Sequence, residues 1–359
     1  MQKIIILGST GSVGRSSLKI INQNKELFDV LGLAAFSNEK LIREQSNKFK
    51  NAKTYLESPK NKNYSDKQIS KEALYELISS PEVDTVIAAI SGSDGLELTH
   101  HSIISGKKVL VANKEPLVMA GEFLIDLAKK SNSRIIPIDS EHCSIHQSIN
   151  NRDIQSVSKI TLTCSGGPFY SLPKSKFKNI SLRDALKHPI WKMGKKISID
   201  SSTLMNKALE IIEAKYLFEI DQKKIDAIIH PEGIVHSLVA LTDGTVLASM
   251  AKPDMKIPIL YGLGFPETMN NKTSRIDIQK LSKLTFEKIN KTKFPSIDFA
   301  YFAINHGKGM PIVLNAANEI AVQSFMDSEI LFEDIFKVIS KTLNYLSLIH
   351  ISEPTRLSW

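Results

Sequence analysis

The sequence predicts an α/β protein that begins with a doubly wound parallel sheet, continues with an α+β domain and ends with a helical domain. Runs of Val, Ile and Leu, the pattern of buried parallel strands, recur early in the chain at residues 4–7, 30–35, 83–90, 108–112 and 134–138. Helical spacing of apolar residues falls between these runs, at residues 13–24, 38–49 and 121–130. Strand and helix alternate in this way in doubly wound sheets. Residues 51–70 are rich in Lys, Asn and Ser, and we expect them at the surface.

The pattern changes after residue 140. β-like runs at 158–164 and 225–230, a Gly- and Pro-rich stretch between them and a helix over about 202–218 indicate a second, α+β domain. Helical spacing at 315–326 and 332–343 predicts a helical third domain. The predicted division is 1–139, 140–264, a linker over 265–294, and 295–359.

The composition is that of a globular protein without a disulfide framework or a membrane span. The chain has 359 residues, enough for two or three domains, and 42% hydrophobic residues, which is ordinary for a globular protein. Two cysteines cannot form a disulfide framework in a chain of this size. A net charge of +8 favours anionic partners without choosing among them. The sequence has neither a membrane-length apolar run nor a leader pattern at its N-terminus, so we expect a cytoplasmic protein.

A glycine-rich segment follows the first predicted strand directly and opens the first helix. Residues 8–14 read GSTGSVG, and their backbone N–H groups would face the same point as the helix N-terminus. That geometry binds a pyrophosphate, as in Rossmann-like domains. The alternative is a turn that only lets strand and helix pack. The end of the second strand lacks the acid that grips a ribose in NAD sites, which favours NADP.

Three further segments carry polar side chains suited to chemistry. Asp139 and Glu141 end a predicted strand, and in extended chain they would project to one side and suit Mg²⁺ or Mn²⁺; the alternative is two solvated loop acids. Asn206, Lys207 and Glu210 share one helix face, which would hold a phosphorylated polyol or be an exposed polar face. Residues 165–168 (SGGP) would either bind a phosphate through their backbone N–H groups or form a structural turn. Residues 188–194 (HPIWKMG) would either form a loop that closes over a ligand or anchor local packing.

These segments, and the order in which they follow one another along the chain, resemble the 1-deoxy-D-xylulose 5-phosphate reductoisomerases of the non-mevalonate isoprenoid pathway. The resemblance covers about residues 1–343. The shared segments are 8–14, 112–115, 139–142, 165–169, 188–194, 200–218, 230–237, 253–255 and 314–319. The resemblance implies an enzyme that uses NADPH and a divalent metal, Mg²⁺ or Mn²⁺. It would rearrange the carbon skeleton of its phosphorylated sugar substrate and reduce the resulting aldehyde to 2-C-methyl-D-erythritol 4-phosphate. It also implies a homodimer, with no nucleic acid or membrane partner.

The resemblance assigns roles to individual residues. Three carboxylates would hold the metal: Asp139, Glu141 and Glu210. The NADPH site would consist of Thr10, Gly11, Ser12, Val13, Asn38, Asn113, Glu115, Gly194 and Met255. The substrate would be held by Lys114, Ser140, Glu141, Ser165, His188, Trp191, Ser201, Asn206, Lys207 and Glu210. Among these, Lys114, Glu141 and His188 would be catalytic.

Two departures and two alternatives accompany the resemblance. Phe36-Ser37 stands where some members carry Gly-Lys, so no cation is assured there for the 2′-phosphate. Residues 344–359 show no resemblance, and we expect the C-terminal helical domain to be incomplete and Ser347 onward to be foreign or out-of-frame sequence. Two other functions are considered. The first is an ordinary NAD(P)-dependent dehydrogenase, which would not depend on a metal held by the three carboxylates. The second is a basic nucleic-acid-binding protein, which would bind DNA or RNA with a strong dependence on salt concentration.

Overall fold

The computed structural model of the chain describes residues 1–61, 64–191, 193–270, 275–307 and 309–352, with side chains as far as residue 347. The chain divides into two compact units. The first comprises Met1–Pro116, Ala120–Asn150 and Asp254–Ile276, and the second comprises Leu117–Met119, Asn151–Pro253 and Asp277–Trp359. The predicted domain boundaries do not coincide with these units, and the three-domain division stays a prediction. No helix in the described ranges is long and apolar enough to cross a membrane.

The regular elements alternate as an α/β protein requires. The strands are β1 Gln2–Leu7, β2 Phe28–Ala35, β3 Lys53–Leu56, β4 Thr85–Ala88, β5 Lys108–Val111, β6 Arg134–Pro137, β7 Val157–Cys164, β8 Ile225–Ile229, β9 Val235–Leu241 and β10 Val246–Met250. The helices are α1 Ser12–Gln23, α2 Glu39–Lys48, α3 Lys71–Ser79, α4 Leu96–Ile104, α5 Glu115–Ser131, α6 Ser140–Ile149, α7 Leu182–Ala185, α8 Lys195–Ser202, α9 Met205–Leu217, α10 Lys256–Gly264, α11 Ser296–His306, α12 Met310–Met326 and α13 Phe332–Ser352.

The first unit is built on a six-stranded parallel sheet in the order β3-β2-β1-β4-β5-β6. Apolar side chains of α1, α2 and α10 cover one face, and those of α3 and α4 cover the other. Ile4, Ile5 and Ile6 of β1 are consequently fully buried, which explains the unbroken apolar run in the sequence. The strand order reverses between β1 and β4, where doubly wound sheets bind ligands. The predicted fold class is confirmed.

Strand β3 is an element that the sequence analysis missed. It lies within residues 51–70, which we expected at the surface, yet Thr54, Tyr55 and Leu56 are buried. Tyr64 covers this edge strand, and its hydroxyl donates to the Thr54 carbonyl at 3.0 Å. Four residues flanked by Lys and Asn carry too little periodicity to stand out, and the burial comes from contacts with residues distant in sequence.

The second unit contains a four-stranded sheet in the order β10-β9-β7-β8, in which only β7 and β8 run parallel among the described pairs. Helix α9 packs against β8, α8, α11 and α12 and is buried around most of its circumference. Aromatic rings from several elements form a cluster next to α13: Phe169, Phe177, Phe294, Phe325, Phe332 and Phe336.

Two helix boundaries differ from the predictions. The helix predicted over about 202–218 is two helices, α8 and α9, joined through Leu204 with φ +59°. The hydroxyls of Ser202 and Thr203 donate to the Ile199 carbonyl of α8, and the Thr203 hydroxyl also accepts from the Met205 N–H at 3.4 Å. Helix α13, expected to end near Leu343, runs to Ser352. Residues 353–359, with Pro354 and Trp359 of the expected foreign tail, lie outside the described residues.

A buried hydrogen bond joins α6 to α10 in the first unit. His146 Nδ1 lies 2.5 Å from the Tyr261 hydroxyl, and burial lowers the pKa of His146 to about 4 and raises that of Tyr261. Both groups are therefore neutral at pH 7. Tyr261→Phe should lower the free energy of unfolding by about 1–3 kcal/mol, because His146 keeps a buried nitrogen that has lost its partner. Urea denaturation tests this, with Tyr345→Phe, exposed on α13, as the control; equal midpoints for the two variants would refute it.

Candidate active site

The loop between β1 and α1 has the close backbone approaches that a dinucleotide-binding loop needs. Gly8 has φ +88°, and a Cβ there would lie 2.3 Å from the Ala89 carbonyl oxygen. A Cβ at Gly14 would lie 2.4 Å from the Gly8 carbonyl oxygen. Gly11 is the N-cap of α1, so the N–H groups of the first helical turn face the loop and can receive a pyrophosphate. The predicted cofactor residues of this loop surround that helix N-terminus: Thr10, Gly11, Ser12 and Val13.

The end of β2 presents an exposed aromatic ring and no acid. Phe36 is 62% exposed. Asn38, a predicted cofactor residue, is the N-cap of α2, and its side chain accepts a hydrogen bond from the Leu41 N–H at 3.1 Å. The first acid of α2, Glu39, accepts bonds from the backbone and side-chain N–H groups of Asn61, both at 2.7 Å. Two donors of Asn61 therefore hold the Glu39 carboxylate within the protein.

The loop between β5 and α5 holds three predicted site residues. Asn113 donates to the Gly92 carbonyl at 3.0 Å and accepts from the Glu115 N–H at 3.3 Å, so its amide ties two loops together. Glu115 begins α5 and is buried. Lys114 is also buried, and its Nζ lies 2.8 Å from Asp139 Oδ2. The loop thus brings a cation to the predicted metal carboxylates.

Asp139 and Glu141 converge in a different way from the one we predicted. They do not lie in extended chain: Asp139 is the N-cap of α6, and Glu141 is in its first turn. A carboxylate oxygen of each lies within 4.8 Å of the other. Ser140, predicted to contact the substrate, donates its hydroxyl to the Glu141 carboxylate. The acids are paired because a helix begins where β6 ends, and the helix N-terminus favours their negative charge.

Asp139 is held in its ionised form. Burial opposes ionisation, but the positive charge of Lys114 and a hydrogen bond with His142 outweigh it, and the pKa of Asp139 lies well below its usual value. His142 Nδ1 is 3.7 Å from Asp139 Oδ1. An ionised carboxylate beside a second one is a donor set that fits a hard divalent cation. The residues present therefore fit the implied metal, and the reading as two solvated loop acids is excluded.

The polar trio of the second unit lies on α9. Both Asn206 and Lys207 donate to the Glu210 carboxylate. The Lys207 and Glu210 side chains are only 2% and 1% exposed, which excludes the alternative of a solvated surface pair. A buried carboxylate with two fixed donors keeps its orientation, and a charge at this depth is retained only when it is compensated.

Three more predicted residues of the second unit, Ser165, His188 and Ser201, lie at the SGG turn after β7. Ser165 Oγ lies 3.1 Å from His188 Nε2 and accepts from the Gly167 N–H at 3.2 Å. Gly166 and Gly167 have φ +82° and +66°, and a Cβ on Gly167 would lie 2.7 Å from the Ser201 carbonyl oxygen. The turn thus packs against α8, which brings Ser165, His188 and Ser201 together.

Three predicted residues have other surroundings. The Trp191 ring is 6.4 Å from the His236 ring, centroid to centroid, in the second unit. Gly194 is the N-cap of α8 in the same unit. Met255 is the N-cap of α10 in the first unit and packs against its core. The roles of all the predicted residues stay predictions.

His188 should be neutral throughout the physiological pH range. Burial lowers its pKa to about 4, and its Nδ1 accepts hydrogen bonds from the Ile190 and Trp191 N–H groups. Because the folded pKa lies below the unfolded value of about 6.5, the unfolded chain binds more protons between these values and stability falls as the pH drops from about 6.5 to 4. NMR of the ring nitrogens should show an unprotonated Nδ1 from pH 6 to 8; a His188 titration near pH 6.5 would contradict the prediction.

Three polar contacts around the site residues were not predicted from the sequence. Asp200 of α8 accepts from Asn318 Nδ2 of α12 at 2.8 Å and from Lys196 Nζ at 2.9 Å. Gln45 of α2 contacts Ser9 of the glycine-rich loop. The available signal was a polar residue on the buried side of a helix, Asn318 in α12 and Gln45 in α2. The partner of each lies far away in sequence, so the sequence alone does not identify the contact.

Comparisons with known proteins identify the family. Models described as 1-deoxy-D-xylulose 5-phosphate reductoisomerase and its C-terminal domain match residues 4–121 and 135–218, and one described as DXP reductoisomerase C-terminal domain matches 250–358. Proteins named 1-deoxy-D-xylulose 5-phosphate reductoisomerase from Endomicrobium trichonymphae and Thermodesulfovibrio yellowstonii are 41% and 42% identical, over 96% and 98% of this chain and 92% and 94% of theirs. The chain belongs to the 1-deoxy-D-xylulose 5-phosphate reductoisomerase family. The predicted family is thereby confirmed, and the chain is an enzyme.

Solved structures of reductoisomerases are similar to this one. A DOX-P reductoisomerase in complex with NADPH, fosmidomycin and magnesium superposes with a TM-score of 0.93 at 38% identity, covering 98% of this chain and 92% of that one. The Zymomonas mobilis enzyme in complex with NADPH gives 0.87 at 35% identity, covering 100% and 94%. The last family match reaches residue 358 and so includes residues 344–358, which we expected to lie outside the resemblance.

Proposed function

We propose that this reductoisomerase converts 1-deoxy-D-xylulose 5-phosphate into 2-C-methyl-D-erythritol 4-phosphate, using NADPH and a divalent cation, Mg²⁺ or Mn²⁺. The observation that carries the proposal is the pair of carboxylates at the start of α6, one of them held ionised, in the same unit as a glycine-rich loop built for a pyrophosphate. Simple hydride transfer need not use these carboxylates. In the rearrangement of the carbon skeleton, a metal held by them would stabilise the negative charge that develops on the substrate oxygens.

The cofactor is proposed to lie along the carboxyl ends of the first unit's strands. The loop after β1 supplies backbone N–H groups for the pyrophosphate. Asn38 and the absence of an acid at the end of β2 suit the ribose that carries the 2′-phosphate. Asn113 and Glu115, with Gly194 and Met255, complete the predicted set. NADPH supplies the hydride that reduces the aldehyde.

The metal is proposed to be held by Asp139, Glu141 and Glu210. When bound, it supplies Lewis-acid stabilisation of the negative charge that develops on the substrate oxygens. The protein's own contribution is to fix these ligands. Lys114 pairs with Asp139 and keeps it ionised, and Asn206 and Lys207 donate hydrogen bonds that orient Glu210.

The substrate is proposed to bind through its phosphate and hydroxyl groups. The turn of Ser165, Gly166 and Gly167 offers backbone and hydroxyl donors to the phosphate. Its neighbours His188 and Ser201, together with Asn206 and Lys207, are donors for the same ligand. Ser140 and Lys114 are assigned to the substrate beside the metal, and Trp191 is assigned to exclude water from the aldehyde.

The test is NADPH oxidation by the purified chain with 1-deoxy-D-xylulose 5-phosphate, after chelation and again after Mg²⁺ or Mn²⁺ is restored. We expect oxidation that requires both the sugar phosphate and the metal. Metal-independent oxidation would indicate an ordinary dehydrogenase and refute the proposal.

We also propose that the chain acts as a cytoplasmic homodimer. The support is the resemblance to the family. Light scattering of the purified chain tests the oligomeric state, and a monomer at assay concentrations would refute that part.

A further inference from the structure

We propose that Gln45, on α2, is a positioning residue that sets the orientation of the NADPH-binding loop. The inference rests on the proposed function, because it assigns a role in binding that cofactor. Gln45 is not among the residues that the loop pattern or the family resemblance singled out. It lies 36 residues from Ser9, its partner in the loop.

Gln45 and Ser9 exchange two hydrogen bonds. The Ser9 hydroxyl donates to Gln45 Oε1 at 2.8 Å, and Gln45 Nε2 donates to the Ser9 carbonyl oxygen at 2.9 Å. Ser9 is fully buried, and Gln45 is 7% exposed. Two bonds between the same buried partners fix both the side chain and the backbone of Ser9, and neither group can be released to water without cost.

The backbone bond determines where the next N–H points. A trans peptide unit is planar, so the N–H of Thr10 points away from the side to which the Ser9 carbonyl points. Because that carbonyl faces Gln45, the Thr10 N–H is directed to the opposite side of the peptide. The Ser9 N–H is itself held by the Ala34 carbonyl at 2.9 Å, so the peptide units on both sides of Ser9 are oriented.

The same contact joins two segments of the proposed cofactor site, the loop assigned to the pyrophosphate and the helix that begins at Asn38. Ser9 belongs to the loop that precedes α1, and Gln45 belongs to α2, whose N-cap is Asn38. A shift of α2 relative to the loop would therefore separate Asn38 from Thr10 and the residues that follow it. Gln45 acts through these residues and is not itself expected to touch the cofactor.

The test is fluorescence titration of NADPH into the metal-free, substrate-free protein. Gln45→Leu keeps the volume of the side chain and removes both bonds, and we expect the Kd for NADPH to rise by about tenfold or more. The KM for the sugar phosphate and kcat at saturating NADPH should stay within about twofold. The matched control is Gln323→Leu, which removes an exposed glutamine bonded to Asp327 on another helix, and its Kd should not change.

A second variant keeps the test decisive if Gln45→Leu folds poorly. Ser9→Ala removes one of the two bonds and leaves Gln45 Nε2 bonded to the Ser9 carbonyl, so a smaller rise in the Kd for NADPH is expected. The double variant should bind NADPH no more weakly than Gln45→Leu, because the Ser9 hydroxyl acts through Gln45.

The outcomes separate this inference from the proposed function. A fall in melting temperature with an unchanged Kd for NADPH would show that Gln45 only stabilises the fold, and would overturn the inference. A wild-type chain that binds no NADPH would overturn the proposed function, and the inference would fall with it. A raised Kd with unchanged KM for the sugar phosphate supports both.

Discussion

Replacing Glu210 by glutamine is expected to lower kcat by more than about a thousandfold, because the variant keeps the shape of the side chain and loses the anionic oxygen proposed to hold the metal. The affinity for NADPH should stay within a few-fold, since the glycine-rich loop belongs to the other unit. The substitution also leaves the buried ammonium of Lys207 without its counter-charge, so some loss of stability is expected as well.

Three measurements make that prediction decisive. Steady-state kinetics over a range of Mg²⁺ concentrations give kcat and the metal dependence. An NADPH titration verifies that the variant is folded. Glu219→Gln, which changes an exposed glutamate just beyond the end of α9, is the matched control and should keep wild-type turnover. A Glu210→Gln variant with substantial metal-dependent turnover would refute the metal role.

Gly8→Ala is expected to have the second largest effect, abolishing measurable NADPH binding and lowering the free energy of unfolding by about 3 kcal/mol or more. Gly8 has φ +88°, and the added Cβ would lie 2.3 Å from the Ala89 carbonyl oxygen and 2.5 Å from its carbon. These neighbours are backbone atoms, so they cannot move aside as a flexible side chain can. The loop would have to separate from the segment that follows β4.

The control for Gly8→Ala is another glycine in an ordinary conformation. Gly309 is the N-cap of α12 with φ −81°, and a Cβ there would meet nothing within 4 Å. Gly309→Ala should change the free energy of unfolding by less than about 1 kcal/mol. Urea denaturation and NADPH titration of both variants compare them directly. Full NADPH affinity in Gly8→Ala would show that the close approach does not shape the cofactor loop.

The sheet of the first unit was predictable because its strands are buried on both faces. The run from Ile4 to Leu7 and the other early apolar runs are unbroken for that reason. The glycines after β1 predict the turn to α1. Strand β3 was not predictable from its own composition, because Tyr64 and the neighbouring strand bury it. Leu204 is a similar case: a leucine at φ +59° has no sequence signature, and it ends one helix where a single helix was predicted.

The candidate site was predictable in its residue types and less so in its geometry. Asp139 and Glu141 were correctly placed at the end of a strand, but a helix N-terminus pairs them, not the alternation of an extended chain. Burial of Lys207 and Glu210 could not be inferred from their spacing, because an exposed helix carries the same pattern. The contacts of His188 with Ser165 and of Gln45 with Ser9 join residues distant in sequence, and only the fold brings them together.

The central claim is that the enzyme rearranges a carbon skeleton before it reduces it, and the carbon connectivity of the product tests it most directly. The chain would be incubated with uniformly ¹³C-labelled 1-deoxy-D-xylulose 5-phosphate, NADPH and Mg²⁺, and the product examined by ¹³C NMR. We predict a branched product in which one carbon is coupled to three others, formed in step with NADPH oxidation. A reduced product with the unbranched skeleton of the substrate, or no NADPH oxidation at all, would contradict the account.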